Sequence, residues 1–366
     1  MRCIVYGKRN KTHGGLLQSR TVPTPLATTR GTVLVRVHVA GLNPVDAKNV
    51  IGDKLPHSFI RCHAAVQSHL ANKIPGFDFA GTVVETDNAR GAAFAVGEKV
   101  FGTVQPFQGT LAEYVRVPVH QLCYMPRRYS FAQAAALPLV GLTALQVLQP
   151  HVRPGTCSSV LIIGASGGTG HVAVQVARAL GAASVTAVCS GGNADFVLSK
   201  GATHVVDYRR NTVVADLQRL APDSECPPYS VVLDCVTSAD PADQAMKYPQ
   251  QLQNVANKLL TDNYVYRRLG GPSTDWIRAG LERTTGLSCW KNGHEKLFWI
   301  RFPNTSHELL QLKEYADAGK LTPHVAHEYD FTEAGVRAAF DAILSRRTKG
   351  KVVVRIFDDG NNKDAD

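Results

Sequence analysis

The stretch Ser159-Val-Leu-Ile-Ile-Gly-Ala-Ser-Gly-Gly-Thr-Gly170 decides the fold of the chain. Its first half is a continuous apolar run, which is typical of a strand buried on both faces of a parallel sheet. Its second half is rich in glycine and opens an apolar helical stretch. Gly167 would let the backbone approach a pyrophosphate, and Gly170 would let the helix pack against the strand. The stretch therefore predicts a βα turn whose helix N-terminus binds phosphate groups.

The residues after this turn alternate between helical and strand-like stretches. A helix is predicted over residues 167–180, with Gly181 as its C-cap. Further apolar strands are predicted over residues 184–189, 204–208 and 230–235. Because strands that alternate with helices form a parallel sheet with helices on its faces, this part of the chain is predicted to be a doubly wound α/β domain.

The first third of the chain has the pattern of β structure. Val33 to Val39 alternates apolar residues with Arg36 and His38, which is the period of a half-buried strand. Three further short runs of this kind are bounded by Gly or Pro and indicate a small barrel or sandwich. Residues 49–74 show no clear period, and we expect an inserted loop or short helix there.

Composition and cysteine usage set the class of protein. The chain has 366 residues, of which 44% are hydrophobic and 19% charged, so we expect two folded domains rather than a disordered chain. Its eight cysteines contain no CxxC pair, which excludes a zinc finger and favours a reducing compartment, here taken as the cytoplasm. The most apolar stretch, 131–148, carries polar residues and Pro138, which predicts a broken or kinked helix and no membrane span. The N-terminus has no pattern of a secretion signal.

The net charge of +10 is concentrated near the N-terminus. The first 60 residues hold nine Lys/Arg and two acids, Asp46 and Asp53. This excess favours attraction of an anionic small molecule. Nucleic-acid binding is disfavoured because the sequence has no aromatic residues interleaved with the basic ones and no recognition motif.

The residues that follow the second predicted strand indicate whether NAD(H) or NADP(H) is the cofactor. In an NAD-binding unit an acidic residue at this position would bind the ribose 2′-hydroxyl, but here Cys189 and the stretch Ser190-Gly-Gly-Asn193 stand there. Neutral Ser190 and Asn193 can hydrogen-bond a 2′-phosphate, and Tyr208 could reach the same adenosine site. The sequence therefore favours NADP(H) over NAD(H). Ser190 and Asn193 could alternatively serve as ordinary loop and N-cap residues.

A second interpretation applies to the same turn. Gly164-Ala-Ser166-Gly-Gly168 matches the GxSxG elbow of hydrolases, and His13-Gly14-Gly15 resembles an oxyanion loop. In that case Ser166 would be a nucleophile. The elbow does not require Gly170, so the nucleotide turn is the preferred interpretation.

Seven motifs in order carry a resemblance to a known family. They are Gly41-Leu-Asn-Pro-Val-Asp46, Pro75-Gly-Phe-Asp-Phe-Ala-Gly81, Gly109-Thr-Leu-Ala-Glu-Tyr114, Ala135-Ala-Leu-Pro-Leu-Val-Gly-Leu-Thr143, the glycine turn, Val206-Asp-Tyr208 and Gly350-Lys-Val-Val-Val354. With them the chain resembles the zinc-free quinone oxidoreductase branch of the medium-chain dehydrogenase/reductase superfamily. The resemblance implies an α/β fold with a GroES-like β-barrel catalytic domain from residues 1–126 and 303–357. It implies an inserted Rossmann domain, a doubly wound parallel sheet over residues 127–302, and we expect a disordered tail over 358–366.

Zinc-dependent members of this superfamily place a Cys ligand where this chain has Asn43, and His-Glu where it has Phe77-Asp78. Their structural zinc uses a cysteine cluster between the equivalents of Gly81 and Tyr114, a stretch without cysteine here. We therefore expect no metal. Without a Lewis acid, hydride addition is favoured at quinones or conjugated enones, because these acceptors spread the developing charge.

The resemblance also implies roles for individual residues. It places Asn43 near the nicotinamide and the acceptor, and Thr143 beside the nicotinamide. It assigns Ser166, Gly167, Gly168, Thr169 and Gly170 to the cofactor's pyrophosphate region, and Ser190, Asn193, Tyr208 and Arg346 to its 2′-phosphate. Many relatives carry Lys where this chain has Asn193. Lys48 matches a lysine that could bind the cofactor ribose or relay a proton, and its alternative role is that of a surface cation.

The predicted function is NADPH-dependent hydride transfer to a quinone or conjugated enone, without zinc. An enoyl-thioester reductase is the first alternative, although such enzymes carry a catalytic Tyr near the position of Asp53 and Lys54. A cofactor-binding interaction protein or RNA-binding protein with little turnover is the second alternative. Members of the family are often dimeric, and the resemblance implies a homodimer with a small-molecule substrate.

Overall fold

The structure is a computed structural model of the chain. It describes residues 1–7, 17–26, 30–50, 72–87, 93–105, 108–155, 158–210, 212–220, 228–237, 246–286, 294–302 and 304–357. Two earlier expectations fall outside these ranges: the disordered tail over 358–366 and most of the insertion over 49–74.

The described residues form two compact units. Those up to Leu142 and from Arg301 onward form the first, here called the barrel unit, and Thr143–Ile300 form the second, the sheet unit. The strands are β1 (Arg2–Tyr6), β2 (Leu17–Thr21), β3 (Thr32–Leu42), β4 (Asp78–Thr86), β5 (Lys99–Thr103), β6 (Tyr114–Pro118), β7 (Leu122–Tyr124), β8 (Ser159–Ile163), β9 (Ser184–Cys189), β10 (His204–Asp207), β11 (Tyr229–Asp234), β12 (Leu260–Arg268), β13 (Glu295–Leu297), β14 (Val325–Asp330) and β15 (Lys351–Arg355).

The helices complete both units. They are α1 (Pro44–Val50), α2 (Phe131–Ala135), α3 (Pro138–Leu148), α4 (Gly170–Ala179), α5 (Ala194–Ser199), α6 (Val213–Leu220), α7 (Tyr248–Gln253), α8 (Ala256–Leu259), α9 (Ser273–Thr285), α10 (Ser306–Asp317) and α11 (Glu333–Leu344). The predicted break at Pro138 is confirmed, since this residue starts α3 directly after α2 has ended. A proline fits the first turn of a helix because no backbone donor is needed there.

The barrel unit is built around β3. Its main sheet has the order β14-β15-β3-β4-β5-β7, and β6 also pairs with β3. The strand is confirmed, but the predicted alternation holds only at Arg36, which is half-buried between the fully buried Val35 and Val37. The second polar residue, His38, is only 4% exposed, because its ring stacks on that of Phe131 at 4.0 Å. A small residue is required at Gly41, where a Cβ would lie 2.0 Å from the carbonyl oxygen of Ala135. The strand can therefore lie directly against α2.

The sheet unit is the predicted doubly wound sheet. Its six strands are all parallel, in the order β10-β9-β8-β11-β12-β13. Counted from β8, this is the order 3-2-1-4-5-6 of dinucleotide-binding folds. The strand order reverses between β8 and β11, and ligands of such sheets bind beside the carboxyl ends of the strands at that point. Side chains such as Leu161, Val232 and Leu217 form the core behind it.

Candidate nucleotide site and active site

The glycine turn follows β8 directly. Gly164 has a φ of 78°, and its carbonyl oxygen accepts the Gly167 N–H at 3.1 Å. A Cβ at Gly170 would lie 2.2 Å from the Gly164 oxygen and 2.6 Å from the Ala165 Cα, so only glycine fits. The helix begins at Gly170, so the predicted start at Gly167 is three residues too early. The extra residues form the turn itself.

Gly167, in the same turn, is less crowded than Gly170. Among the described residues, the nearest neighbour of a Cβ at Gly167 would be the Gly164 oxygen, at 3.4 Å, which is an ordinary van der Waals distance. The buried ring of His171 lies below, with Nδ1 2.8 Å from the Gly167 carbonyl oxygen. This contact fixes the turn from the helix side. The uncrowded Gly167 and the N-terminus of α4 together suit a pyrophosphate group.

Three polar side chains meet beside the turn. Asn193 Nδ2 lies 3.0 Å from Ser166 Oγ and 3.2 Å from Ser190 Oγ. Ser190 and Asn193 precede the short helices 191–193 and α5, yet neither side chain caps a helix. The structure thus brings together three of the predicted cofactor residues, and the alternative N-cap role is not what their side chains do.

The end of β10 supplies further charged groups. Tyr208 is 40% exposed, and the Arg209 guanidinium lies 5.8 Å from its ring centroid. An acidic residue is absent at the end of β9, where Cys189 stands, but one is present at the end of the neighbouring strand β10. This residue is Asp207, whose Oδ2 would lie 2.4 Å from a Cβ at Gly191. Arg210 Nε lies 3.6 Å from the same oxygen and offsets its charge. Sequence reasoning overlooked Asp207, because it belongs to the strand next to the expected one.

Ser166 does not have the surroundings of a nucleophile. Its side-chain oxygen accepts from Asn193, and among the described residues no histidine hydrogen-bonds to it. A serine nucleophile needs a base within hydrogen-bond reach. The geometry therefore favours a nucleotide-binding role for Ser166 over the hydrolase interpretation.

Asn43 lies at the centre of a buried polar cluster in the barrel unit. Its Nδ2 donates to Asp78 Oδ2 at 2.9 Å, and its Oδ1 accepts from Lys351 Nζ at 2.7 Å. Its backbone N–H donates to Asp46 Oδ2 at 2.8 Å. All four residues are nearly inaccessible, with Asn43 2% exposed. The second Nδ2 hydrogen has no acceptor within the described parts of the chain.

The charges of this cluster perturb one another. Burial raises the pKa of Asp46 to about 7 and also raises the pKa of Asp78, while the ammonium of Lys351 opposes the latter rise. Burial lowers the pKa of Lys351, and both carboxylates oppose that shift. Two acids and one base are thus packed around a single asparagine, with Asp78 and Lys351 at its carboxamide and Asp46 at its backbone N–H.

The sequence predicts three further site residues, Thr143, Arg346 and Lys48. Thr143 is buried in α3, at the start of the sheet unit. Arg346 belongs to the barrel unit and has a left-handed backbone, with a φ of 58°, in the turn after α11. Lys48 is part of α1, but its side chain lies outside the described residues. Their roles therefore stay predictions.

The sequence motifs contain Asp46, Asp78 and Lys351, but the sequence alone assigns these residues no role. The sequence offers only a weak signal, namely charged residues that adjoin apolar strands, since such residues are fully buried only when they are paired. Asp78 begins β4 and Lys351 begins β15, so each stood at the edge of an apolar run. Only the register of two distant strands on β3 shows that they meet.

No group of three or more His, Cys, Asp or Glu side chains in the described ranges could hold a metal ion. No helix in those ranges combines the length and the apolar character that crossing a membrane requires.

The chain is similar to known oxidoreductases. Residues 29–127 match the model of the alcohol dehydrogenase GroES-like domain, and residues 200–354 match that of zinc-binding dehydrogenases. The chain is 30% identical over 345 residues to the mitochondrial NAD(P)H oxidoreductase RTN4IP1 of Bos taurus, covering 88% of this chain and 81% of that protein. It is 29% identical over 332 residues to the trans-enoyl reductase pgmF of Aspergillus terreus, covering 88% and 86%.

Solved structures agree with these matches. The quinone oxidoreductase of Thermus thermophilus, whose complex with NADPH is known, is similar with a TM-score of 0.67 at 26% identity, covering 97% of this chain and all of that one. The chain belongs to the medium-chain dehydrogenase/reductase superfamily, in its quinone oxidoreductase-like branch, and is an oxidoreductase. The predicted fold class is confirmed.

Proposed function

We propose that the chain is an NADPH-dependent reductase of quinones or conjugated enones that works without zinc. The observation that carries the proposal is the cluster of Ser166, Ser190 and Asn193 beside a glycine turn that is uncrowded at Gly167. The similarity to oxidoreductases named for NAD(P)H and quinones supports it.

The residues of the sheet unit fit this cofactor. Gly167, Gly168, Thr169 and Gly170 offer backbone N–H groups to a pyrophosphate at the start of α4. The hydroxyl and amide groups of Ser190 and Asn193, with Tyr208, offer neutral donors to a 2′-phosphate. When bound, the nicotinamide supplies a hydride. Arg346 and Thr143 are proposed as further contacts.

The barrel unit supplies the group that meets the acceptor. Addition of a hydride to a quinone, followed by one proton, gives a hydroquinone. In an enone the hydride goes to the β-carbon, and the resulting enolate takes its proton at the α-carbon. In both cases negative charge develops on an oxygen, which the remaining Nδ2–H of Asn43 would stabilise. Lys48 is proposed as the proton donor or as a ribose contact.

The proposed absence of zinc also has a physical basis. Asn43 stands where zinc-dependent relatives have a thiolate ligand, and its oxygen already binds the Lys351 ammonium at 2.7 Å. A divalent cation beside that ammonium would be repelled. Elemental analysis of the purified protein should show less than about one-tenth of a zinc ion per chain. Stoichiometric zinc would contradict the proposal.

The first experiment is a titration of the purified protein with NADPH and with NADH, followed by nucleotide fluorescence. Addition of 9,10-phenanthrenequinone then tests turnover. We expect tighter binding of NADPH than of NADH, and oxidation of NADPH only when the quinone is present. Binding of neither nucleotide would overturn the proposal. Binding without oxidation by quinones or enones would overturn the reductase activity.

An enoyl-thioester reductase is a second candidate, favoured by the similarity to a trans-enoyl reductase. Crotonyl-coenzyme A, a conjugated thioester, distinguishes the two. We expect it to be reduced more slowly than the quinone, and faster reduction would make the thioester the preferred substrate class.

We further propose a homodimer in the cytoplasm. Free Cys3, Cys123, Cys189 and Cys235 support a reducing compartment. The mitochondrial names of relatives point to a different compartment. Light scattering tests the mass, and imaging of a tagged full-length chain tests the compartment.

A further inference from the structure

We propose that Asp78 and Lys351 are positioning residues: they lock the Asn43 carboxamide in one orientation, in which its remaining N–H is left for the acceptor, and Lys351 strengthens that N–H as a donor. The inference rests on the proposed function and deepens it. It concerns two residues that do not themselves contact the acceptor.

The lock follows from the chemistry of the two partners. A carboxamide can usually rotate by half a turn and exchange its oxygen for its nitrogen. Here Asp78 Oδ2 lies 2.9 Å from Asn43 Nδ2, and Lys351 Nζ lies 2.7 Å from Asn43 Oδ1. An ionised carboxylate only accepts hydrogen bonds and an ammonium only donates them. After a half-turn, the Asn43 nitrogen would face the Lys351 ammonium, so that two donors meet, and the Asn43 oxygen would face the Asp78 carboxylate, so that two acceptors meet. Only one orientation of the carboxamide is therefore possible.

The partners are themselves fixed by the backbone. Lys351 Nζ also donates to the Leu42 carbonyl oxygen at 2.8 Å and lies 3.6 Å from Asp78 Oδ2. Asp78 Oδ1 accepts the Leu139 N–H at 2.9 Å. The two charged side chains are at most 3% exposed. The position of the Asn43 amide is therefore fixed by four elements: strands β3, β4 and β15 and the first turn of α3.

The same arrangement polarises the carboxamide. A positive charge at Oδ1 draws electron density from the amide nitrogen, which makes the remaining Nδ2–H a stronger donor. Burial increases the effect, because the electric field of the ammonium is screened less than in water. Lys351 thus acts on the acceptor oxygen through Asn43.

The test uses a double variant, Asp78→Asn with Lys351→Met. Removing Lys351 alone would leave buried carboxylates without their cation and destabilise the fold. The double variant removes the charges of this pair together and keeps similar side-chain volumes, so we expect a thermal midpoint closer to wild type than that of Lys351→Met alone. Lys313→Met with Asp317→Asn makes the same chemical change at an ion pair on α10 and serves as the control.

Kinetics then separate positioning from a structural role. With 9,10-phenanthrenequinone, we expect the double variant to lose roughly 10–100-fold in kcat while its Kd for NADPH stays within about twofold of wild type. The control should keep the wild-type kcat. A double variant that folds and has the wild-type kcat would overturn the inference while leaving the proposed function intact.

A spectroscopic measurement makes the test independent of turnover. The side-chain amide signals of Asn43, assigned by their loss in Asn43→Ala, should be widely separated in the wild type and move together in the double variant. If the double variant does not fold, Asp78→Asn replaces it, and the same signals and kcat are compared. If the wild type shows no turnover, the proposed function fails, and unchanged amide signals would overturn the lock as well.

Discussion

Arg268 and Asp275 form a buried ion pair in the sheet unit, with Nη2 2.8 Å from Oδ2. Arg268 Nε also lies 2.8 Å from Glu295 Oε1, so one guanidinium joins the end of β12 to α9 and β13. Its side chain is only 6% exposed. Arg278 Nη1 lies 3.3 Å from Asp275 Oδ1, so Asp275 has a second cationic partner, whereas Glu295 depends on Arg268.

We expect Arg268→Met to destabilise the protein by about 1.5–3 kcal/mol, because it leaves the half-buried Glu295 without its cation and Asp275 with only the more exposed Arg278. Urea denaturation measures the change. Arg219→Met serves as the control, since Arg219 pairs with Asp216 at the surface and is 71% exposed. This control should change stability by less than about 1 kcal/mol. Equal effects of the two substitutions would contradict the buried-pair argument.

Two glycines of the nucleotide turn should respond differently to alanine. Gly170→Ala places a Cβ 2.2 Å from a carbonyl oxygen and should lower the thermal midpoint. Gly167→Ala has its nearest contact at 3.4 Å, so it should fold like wild type but bind NADPH about tenfold more weakly. Gly280→Ala on α9, with its nearest contact at 3.7 Å, is the control: it should keep the wild-type NADPH affinity and should not lower the thermal midpoint, because alanine favours a helix over glycine. Full NADPH affinity in Gly167→Ala would place the pyrophosphate elsewhere.

Ser190→Asp tests the preference for a phosphorylated ribose. The new carboxylate would repel a 2′-phosphate and could accept from a 2′-hydroxyl. We expect the ratio of NADH to NADPH affinity to rise at least about tenfold, measured by fluorescence titration. Ser199→Asp adds the same charge at the other end of α5 and should leave the ratio within about twofold. An unchanged ratio in Ser190→Asp would remove Ser190 from the phosphate site.

The pH dependence of stability should depend on Asp46. Burial raises the pKa of this carboxyl from 3.8 to about 7 in the folded protein. Between these values the folded state holds a proton that the unfolded state has lost, so this group's contribution to stability falls as pH rises and is constant above about pH 8.

Asp46→Asn has no proton to lose at that position. The free energy of unfolding of wild type minus that of the variant should therefore be larger at pH 5 than at pH 8. Urea denaturation at the two values measures it. A difference that is the same at both, or larger at pH 8, would mean that Asp46 is ionised throughout.

Much of the fold could be predicted from local patterns. The apolar run of β8 and the glycines after it predict a buried strand and the turn that follows it, and the structure has both. The strand β3 is also present, although only Arg36 follows the predicted alternation. The start of α4 was misjudged because Gly167, Gly168 and Thr169 look like the first turn of a helix, although they form the turn before it. Tertiary contacts of Gly170 decide that boundary.

The candidate site was only partly accessible to such reasoning. The contact between Asn193 and Ser166 joins two predicted residues 27 positions apart, because both follow neighbouring parallel strands. The charged partners of Asn43 could not be found in this way. Lys351 is 308 positions from Asn43, and no local period shows which distant strand will pair with β3.

The pairing of β3 with β15 imposes an order on folding during synthesis. Leu42 and Lys351 are 309 residues apart, whereas the sheet unit is one continuous segment between them. At usual rates of translation, β3 waits roughly 15–60 s for its partner strand, while the sheet unit can already fold. Until then the part of β3 from Val39 to Leu42, which β6 does not cover, has one edge whose backbone groups can pair with any other strand. A nascent chain that stops before β15 is therefore the form of this protein most exposed to aggregation.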